Sequence, residues 1–134
     1  MITSIQSLVA EAMGQIETLS VQEAQALQAS GQAQLVDIRD VRELEREGVI
    51  PDAVSAPRGM LEFWVDPASP YHRPVFAQDT RFILFCAMGW RSALATLTLQ
   101  QMGLPRVAHI EGGFKAWKEA GAPVGIKPAH VAKT

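Results

Sequence analysis

Residues 81–103 read RFILFCAMGWRSALATLTLQQMG, and this stretch decides the fold. Phe82 to Phe85 are four consecutive apolar residues, the length and character of a strand buried on both faces at the centre of a parallel sheet. From Ser92 to Met102 the pattern is helical, and Gly103 stops it. Strand and helix are joined by only a few residues, which is how a parallel sheet makes its βα connections. In such sheets ligands gather at the C-terminal ends of the strands. Cys86, the only cysteine in the chain, stands at that end.

The flanking sequence repeats the alternation. Residues 33–38, AQLVDI, read as a buried strand, followed by a short charged helix with Asp40 as N-cap, Glu43 three residues on and Gly48 as terminator. Upstream, Ser20 and Glu23 form a second capping box and Gly31 ends that helix. DAVSAP, residues 52–57, reads as a further strand, and RGMLEFWVD, residues 58–66, as one or two helical turns. Pro67, Pro70 and Pro74 make the next segment mostly loop. RVAHI, residues 106–110, is a last strand, and GFKAWKEAG, residues 113–121, a last helix with Phe114 and Trp117 in the core. Ile5, Leu8, Val9, Ala12 and Ile16 recur at helical spacing and predict an amphipathic first helix. The fold class expected is α/β, in three layers, with a mostly parallel sheet between helices on both faces.

Composition narrows the function. The 134 residues fit one domain with a real core, and 48% apolar with 19% charged residues is a globular balance. Twelve basic against fourteen acidic residues, without a basic run, give no reason to expect nucleic acid or an anionic membrane as partner. No apolar stretch approaches the roughly 20 residues that span a bilayer, and residues 1–17 do not resemble a signal peptide. A single cysteine cannot form an internal disulfide, and His72, His109 and His130 are scattered. They read as surface or hydrogen-bonded strand residues, with no metal or other cofactor expected. A reducing cytoplasm is the expected location.

Between strand and helix, Cys86-Ala87-Met88-Gly89-Trp90-Arg91 must turn sharply, and Gly89 permits the backbone conformation that a turn requires. Successive N–H groups from Ala87 to Arg91 then converge as an anion nest. The helix that follows adds its positive end, and Arg91 a full charge. A thiol in that cradle ionises more readily than a free cysteine, and the thiolate is the nucleophile. Electrostatics does the deprotonation, so no neighbouring histidine base is required. The residues describe a cysteine nucleophile that works on an anionic substrate.

These motifs resemble the rhodanese-like sulfurtransferases. LVDIRDVRELEREGVIPDAVSAP, CAMGWRS and HIEGGFKAWKEAGAPV are similar to that family's first signature, active-site loop and closing signature, in order, over roughly residues 31 to 124. One departure is Gly48-Val49-Ile50-Pro51-Asp52-Ala53, where the family commonly has Gly-His-Ile-Pro-Gly-Ala, and it bears on local stability more than on catalysis. The resemblance implies a rhodanese-like domain over residues 19–126, preceded by a helical extension, 1–18, and followed by a tail, 127–134. It implies Cys86 as catalytic residue and Ala87, Met88, Gly89, Trp90, Arg91 and Ser92 as the substrate-binding loop. Arg58 and Glu62 are candidates for the pocket rim, and Asp37 with Arg39 for a bracing ion pair.

Loop length divides two chemistries that the resemblance allows. Sulfurtransferases use Cys-x4-Arg, as here, whereas the related cell-cycle phosphatases use the wider Cys-x5-Arg. The implied reaction moves sulfane sulfur from thiosulfate or another small anionic donor, through a Cys86 persulfide, to an external thiol such as glutathione or thioredoxin, or to cyanide. Two alternatives stay open: a non-catalytic interaction or persulfide-carrier domain, and a Cys-x4-Arg phosphatase or arsenate reductase. The apolar stripe of the first helix is covered either by its own domain or by a second copy, so the expectation is a monomer or weak homodimer.

Overall fold

Residues 1–128 are described by a computed structural model, and His130 lies outside them. The apolar run becomes β4 (Arg81–Phe85), the middle strand of a five-stranded sheet with order β1-β5-β4-β2-β3. Its neighbours are β2 (Ala33–Asp37) and β5 (Ala108–Ile110), and β3 (Val54–Ser55) and β1 (Glu17–Leu19) form the edges. Every pairing is parallel. Side chains of β4 alternate between faces, as a strand requires. Phe82 and Leu84, with Cys86 beyond them, pack with Leu99 of α5 (Trp90–Gln101) and Leu61 of α4 (Leu61–Val65). Ile83 and Phe85 pack on the other face with Ala24 of α2 (Val21–Ala29) and Trp117 of α6 (Gly113–Glu119). Both faces are therefore covered, giving the three layers that the alternation implied.

The capping boxes form as expected, with Ser20 and Glu23 opening α2 and Asp40 and Glu43 opening α3 (Val41–Glu47). Behind α3 lies a buried ion pair. Arg39 is only 1% exposed and donates to both carboxylate oxygens of Asp37, at 3.0 and 2.8 Å. It also donates to the Gly48 carbonyl at 2.8 Å and lies 4.1 Å over the Phe114 ring. Sheet, α3 and α6 are thus tied together at the end of the sheet where β4 delivers Cys86.

The segment that carries the departure, residues 48–53, is held by backbone hydrogen bonds. Val49 stands where the family pattern has histidine, and its backbone exchanges two hydrogen bonds with Gly125 at 3.0 and 2.7 Å. The Ala53 N–H donates to the Ile50 carbonyl at 3.2 Å, closing a turn with Pro51 and Asp52 at its centre. Asp52 has φ +69°, a conformation that favours the glycine it replaces in the family pattern.

Two features differ from the sequence reading. Glu17 and Thr18, which were expected at the end of a helical extension, begin edge strand β1, in register with Ala108 and His109 of β5. The first helix, α1 (Ile5–Met13), is shorter than its apolar stripe. Val9 and Ala12 bury against Ala93, with Leu94 and Leu97 of α5 around them, while Ile5 and Leu8 stay half exposed. Among the described residues no helix is long and apolar enough to cross a membrane.

Removing the carboxylate from Asp37 strands the buried Arg39 guanidinium. Asp37→Ala should therefore cost about 3–5 kcal/mol in urea unfolding, whereas Arg42→Ala, at an exposed pair with Asp40, should leave the midpoint nearly unchanged. Asp52→Gly should raise stability by up to about 1 kcal/mol, because glycine takes the left-handed turn position without strain. A neutral Asp37 variant, or a destabilised glycine variant, would contradict these assignments.

Candidate active site

β4 ends at Phe85, whose carbonyl still accepts from Ile38 N–H at 3.0 Å. The next residue carries the thiol. Cys86 is 1% exposed, and its sulfur accepts from the Gly89 N–H at 3.1 Å and the Ser92 N–H at 3.4 Å. Gly89 can direct its N–H inward because its φ is +113°, the position at which the sequence called for glycine. The Ser92 hydroxyl stands 3.5 Å from the sulfur and donates to the Gly89 carbonyl at 3.2 Å. The first turn of α5 therefore wraps around the sulfur.

The outer side of the loop is held by α6. Phe114 N–H donates to the Cys86 carbonyl at 2.8 Å, and Lys115 N–H to the Ala87 carbonyl at 3.1 Å. Such close approach needs a glycine at 113, and the tight start of α6 needs another at 112. A Cβ on Gly113 (φ +59°) would overlap the Cys86 carbonyl oxygen and lie 2.9 Å from the Ala87 carbonyl, and one on Gly112 (φ +74°) would lie 2.6 Å from the Ala116 Cβ. The Glu-Gly-Gly-Phe sequence is the clamp that faces the carbonyls outward and leaves the loop N–H groups free to face inward.

Arg91 is committed to a partner. It donates to both oxygens of Glu43, at 2.9 and 2.8 Å, while Glu43 also accepts from the Asp40 N–H in the α3 capping box at 2.8 Å. The Arg91 pKa is raised, chiefly by the hydrogen bond to Glu43 and also by the nearby Cys86 sulfur. The same bond holds the Glu43 carboxyl below its ordinary value of 4.5. Met88 and Trp90 stand out from the loop, 64% and 50% exposed. Beside the loop opens a cleft of about 410 Å³, lined by Glu43 and Arg46 of α3, Ala87 and Met88, and Lys115 and Lys118 of α6. Arg58 and Glu62 do not line it; they pair with each other at 2.6 Å on the half-exposed surface. Among the described residues no group of three or more His, Cys, Asp or Glu stands together as metal ligands.

The rhodanese-like domain family matches residues 20–120. The chain belongs to that family. Among its relatives is the thiosulfate:glutathione sulfurtransferase of Homo sapiens, 32% identical over 109 residues that cover 76% of this chain and 93% of the human protein. Similar solved structures include a Rhodopseudomonas palustris protein of unknown function, named a possible tyrosine phosphatase. It is 53% identical, with a TM-score of 0.88 over 92% of this chain and 96% of its own. The polysulfide-sulfur transferase homodimer of Wolinella succinogenes is 28% identical, with a TM-score of 0.69 over 96% of this chain and 92% of its own.

The rhodanese-like loop gathers Cys86, Gly89 and Ser92 tightly around one sulfur and leaves Met88 and Trp90 at its rim. Two residues beside it were not singled out from the sequence. Glu43 was recognisable only as a capping residue, and its second task depends on how α3 packs beside α5. His109, read as an ordinary strand histidine, is 1% exposed, and its Nδ1 lies 2.8 Å from the Ser92 hydroxyl. The one available signal was a lone polar residue in the otherwise apolar Val107–Ile110 run.

Gly113→Ala should cost about 1–3 kcal/mol by overpacking and strain, and it should slow alkylation of Cys86 as the loop is pushed away from its clamp. Unfolding and iodoacetamide kinetics read the two effects separately. Glu43 has a lowered pKa in the folded state, so its contribution to stability is present above about 4.5 and is lost as pH falls through the lowered value. Glu43→Gln should flatten that acidic limb of the stability curve. An unchanged limb would show that the pair with Arg91 contributes nothing.

Proposed function

We propose that this protein is a sulfurtransferase that carries sulfane sulfur on Cys86. The observation that carries the reading is the direct aim of the Gly89 and Ser92 N–H groups at Sγ inside a Cys-x4-Arg loop. Fixed N–H dipoles at that position favour a sulfur anion and need no reorganisation when it forms. A loop this short suits one bound sulfur better than a phosphate with its four oxygens. That favours sulfur transfer over phosphatase chemistry, despite the name given to the Rhodopseudomonas protein.

In the proposed reaction the Cys86 thiolate attacks the outer sulfur of thiosulfate. A new S–S bond forms, the S–S bond of thiosulfate breaks, and sulfite leaves with the bonding electron pair. The terminal sulfur of the resulting persulfide is the anion the loop then holds. An external thiolate attacks that sulfur, takes it as its own persulfide, and returns Cys86 as thiolate; cyanide would leave as thiocyanate. The acceptor must come from outside, because the chain has no second cysteine. The cleft between α3 and α6 reaches the loop at Ala87 and Met88. Arg46 is paired there with Glu47, and Lys115 and Lys118, beside Glu43 and Glu119, are the groups an approaching anion would meet.

Intact-mass measurement tests the proposal. Incubation with thiosulfate should make the protein heavier by one sulfur atom, and glutathione, reduced thioredoxin or cyanide should return the original mass with the matching product. Cys86→Ser should gain nothing. Arg91→Ala should slow sulfur uptake by about tenfold or more, with Arg91→Lys recovering only part of the rate. Hydrolysis of aryl phosphates at a rate comparable to sulfur transfer would favour the phosphatase reading. A persulfide that no acceptor removes would leave a carrier domain in place of an enzyme.

A further inference from the structure

Behind the sulfur, on the side away from the cleft, a chain of side chains runs through the sheet to its edge. Cys86 Sγ lies 3.5 Å from Ser92 Oγ, which lies 2.8 Å from His109 Nδ1; His109 Nε2 lies 3.0 Å from Thr18 Oγ1. Three elements supply it. Ser92 stands in the first turn of α5, His109 in β5, and Thr18 in edge strand β1, where it is the register partner of His109. Ser92 and His109 are fully enclosed, while Thr18 is half-buried. Nothing in the reaction proposed above uses His109 or Thr18.

The hydroxyl of Ser92 has one proton and three neighbours that could take part: the sulfur, the Gly89 carbonyl and the imidazole. Which neighbour receives that proton depends on the tautomer of His109. If Nε2 carries the ring proton, Nδ1 is an acceptor and draws the Ser92 proton toward itself, away from the sulfur. If Nδ1 carries it, the ring donates to Ser92 Oγ, and the hydroxyl proton is free to point at the sulfur. Thr18 can complete the second arrangement by donating to the bare Nε2, its other acceptor being the more distant Met13 Sδ at 3.9 Å. It could equally accept from an Nε2–H, so the choice is made at Ser92 and the sulfur. Burial holds the His109 pKa down at about 4, so the ring is neutral at ordinary pH and selects between tautomers, not between charges.

We propose that His109 is a positioning residue for the nucleophile: as the Nδ1–H tautomer, capped at Nε2 by Thr18, it turns the Ser92 hydroxyl toward the Cys86 sulfur anion. The thiolate then receives three donors, the N–H groups of Gly89 and Ser92 and the Ser92 hydroxyl. Two of these are fixed by the backbone, and only the third is set by a side chain. The inference rests on Cys86 acting as a nucleophile, as proposed above, but not on which donor or acceptor it serves. The charged groups facing the sulfur are Arg91 from α5 and, paired with it, Glu43 from α3; the polar contacts of the His109 ring are Ser92 from α5 and Thr18 from β1.

The test reads the tautomer directly and needs no sulfur transfer. In the full-length protein with ¹⁵N-labelled histidine, long-range proton–nitrogen correlation spectra identify which ring nitrogen of His109 is protonated. Spectra are followed as rising pH converts the Cys86 thiol to thiolate, with Cys86→Ala as the reference that cannot ionise. The expected result is a neutral ring protonated at Nδ1 when the thiolate is present. An Nε2–H ring beside the thiolate overturns the proposal without any variant having to fold.

Alkylation by iodoacetamide supplies the functional readout. Ser92→Ala and His109→Leu should each slow it by about tenfold at a pH where the thiol is mostly protonated, since each loses one hydrogen bond to a charged sulfur. The double variant should be no slower than either single one, because both remove the same donor. His109→Asn, which keeps an N–H near the Nδ1 position, should recover most of the rate. Additive slowing, or a His109→Leu protein alkylated as fast as the parent, overturns the proposal. Failure of sulfur transfer with these results intact would instead reject the sulfurtransferase reading and leave the relay standing.

Discussion

Two backbone hydrogen bonds, from the N–H groups of Phe114 and Lys115 to the carbonyls of Cys86 and Ala87, set the direction of the whole loop. A peptide unit has two ends, and fixing its carbonyl outward leaves the next N–H free to point inward. The units fixed in this way are those of the Ala87 and Met88 N–H groups. The donors that reach the sulfur, the N–H groups of Gly89 and Ser92, are placed just beyond them by the positive φ of Gly89 and the first turn of α5. The two backbone bonds require α6 to begin almost in contact with the loop, which Gly113 allows. It also requires α6 to be anchored, which Trp117 does by burying completely and donating its indole N–H to the Pro123 carbonyl at 2.7 Å. Loop geometry, closing helix and core are one constraint.

Helix α3 contributes through its caps. Glu43 closes the capping box at the N-terminus of α3 and holds Arg91 by both oxygens. At the other end the Gly48 carbonyl accepts from Arg39, whose charge is balanced by Asp37 at the end of β2. A short helix with a modest buried face is in this way pinned at both termini to groups that border the loop. Polar contacts determine its position more than burial does, because Leu44 is the one residue of α3 that is buried.

The parts of this architecture that were legible in the sequence are those governed by local rules. The apolar run of β4, the capping boxes of α2 and α3, and the glycine demanded at position 89 each follow from residues close together in the chain. Strand β1 was not legible, because Glu17-Thr18-Leu19 is three residues long with only Leu19 buried. Its pairing with β5 joins segments some ninety residues apart, and no local pattern marks it. The same distance hides the surroundings of His109, whose neighbours come from β1 and α5. Glu43 was visible in its local role and invisible in its long-range one. Asp52 is a further case: residues 52–57 read as a strand, but the structure places Asp52 at the left-handed position of the turn before β3. A left-handed aspartate leaves no mark in the hydropathy pattern.

On the proposed sulfurtransferase reading, the charges around the loop answer a need both to hold a sulfur anion and to release it. Arg39 is neutralised by Asp37, and Arg91 is bound at both nitrogens by Glu43. Arg91 still stands close enough to interact with the Cys86 sulfur, so its charge reaches that site already balanced in part by Glu43. The backbone N–H groups of Gly89 and Ser92 point at Sγ, while the Ser92 hydroxyl donates to the Gly89 carbonyl with its oxygen 3.5 Å from the sulfur. Dipoles fixed by a folded backbone favour an anion over a neutral thiol without a full ion pair, whose breaking in a site of low dielectric costs several kcal/mol. On the proposed sulfurtransferase reading, a sulfur anion held by backbone dipoles and a partly balanced guanidinium keeps its nucleophilicity and can leave with an acceptor. Lys115 and Lys118 sit further out along the cleft, among Glu43, Glu47 and Glu119, where water screens them and where, on the proposed reading, they would meet anions without trapping them at the sulfur.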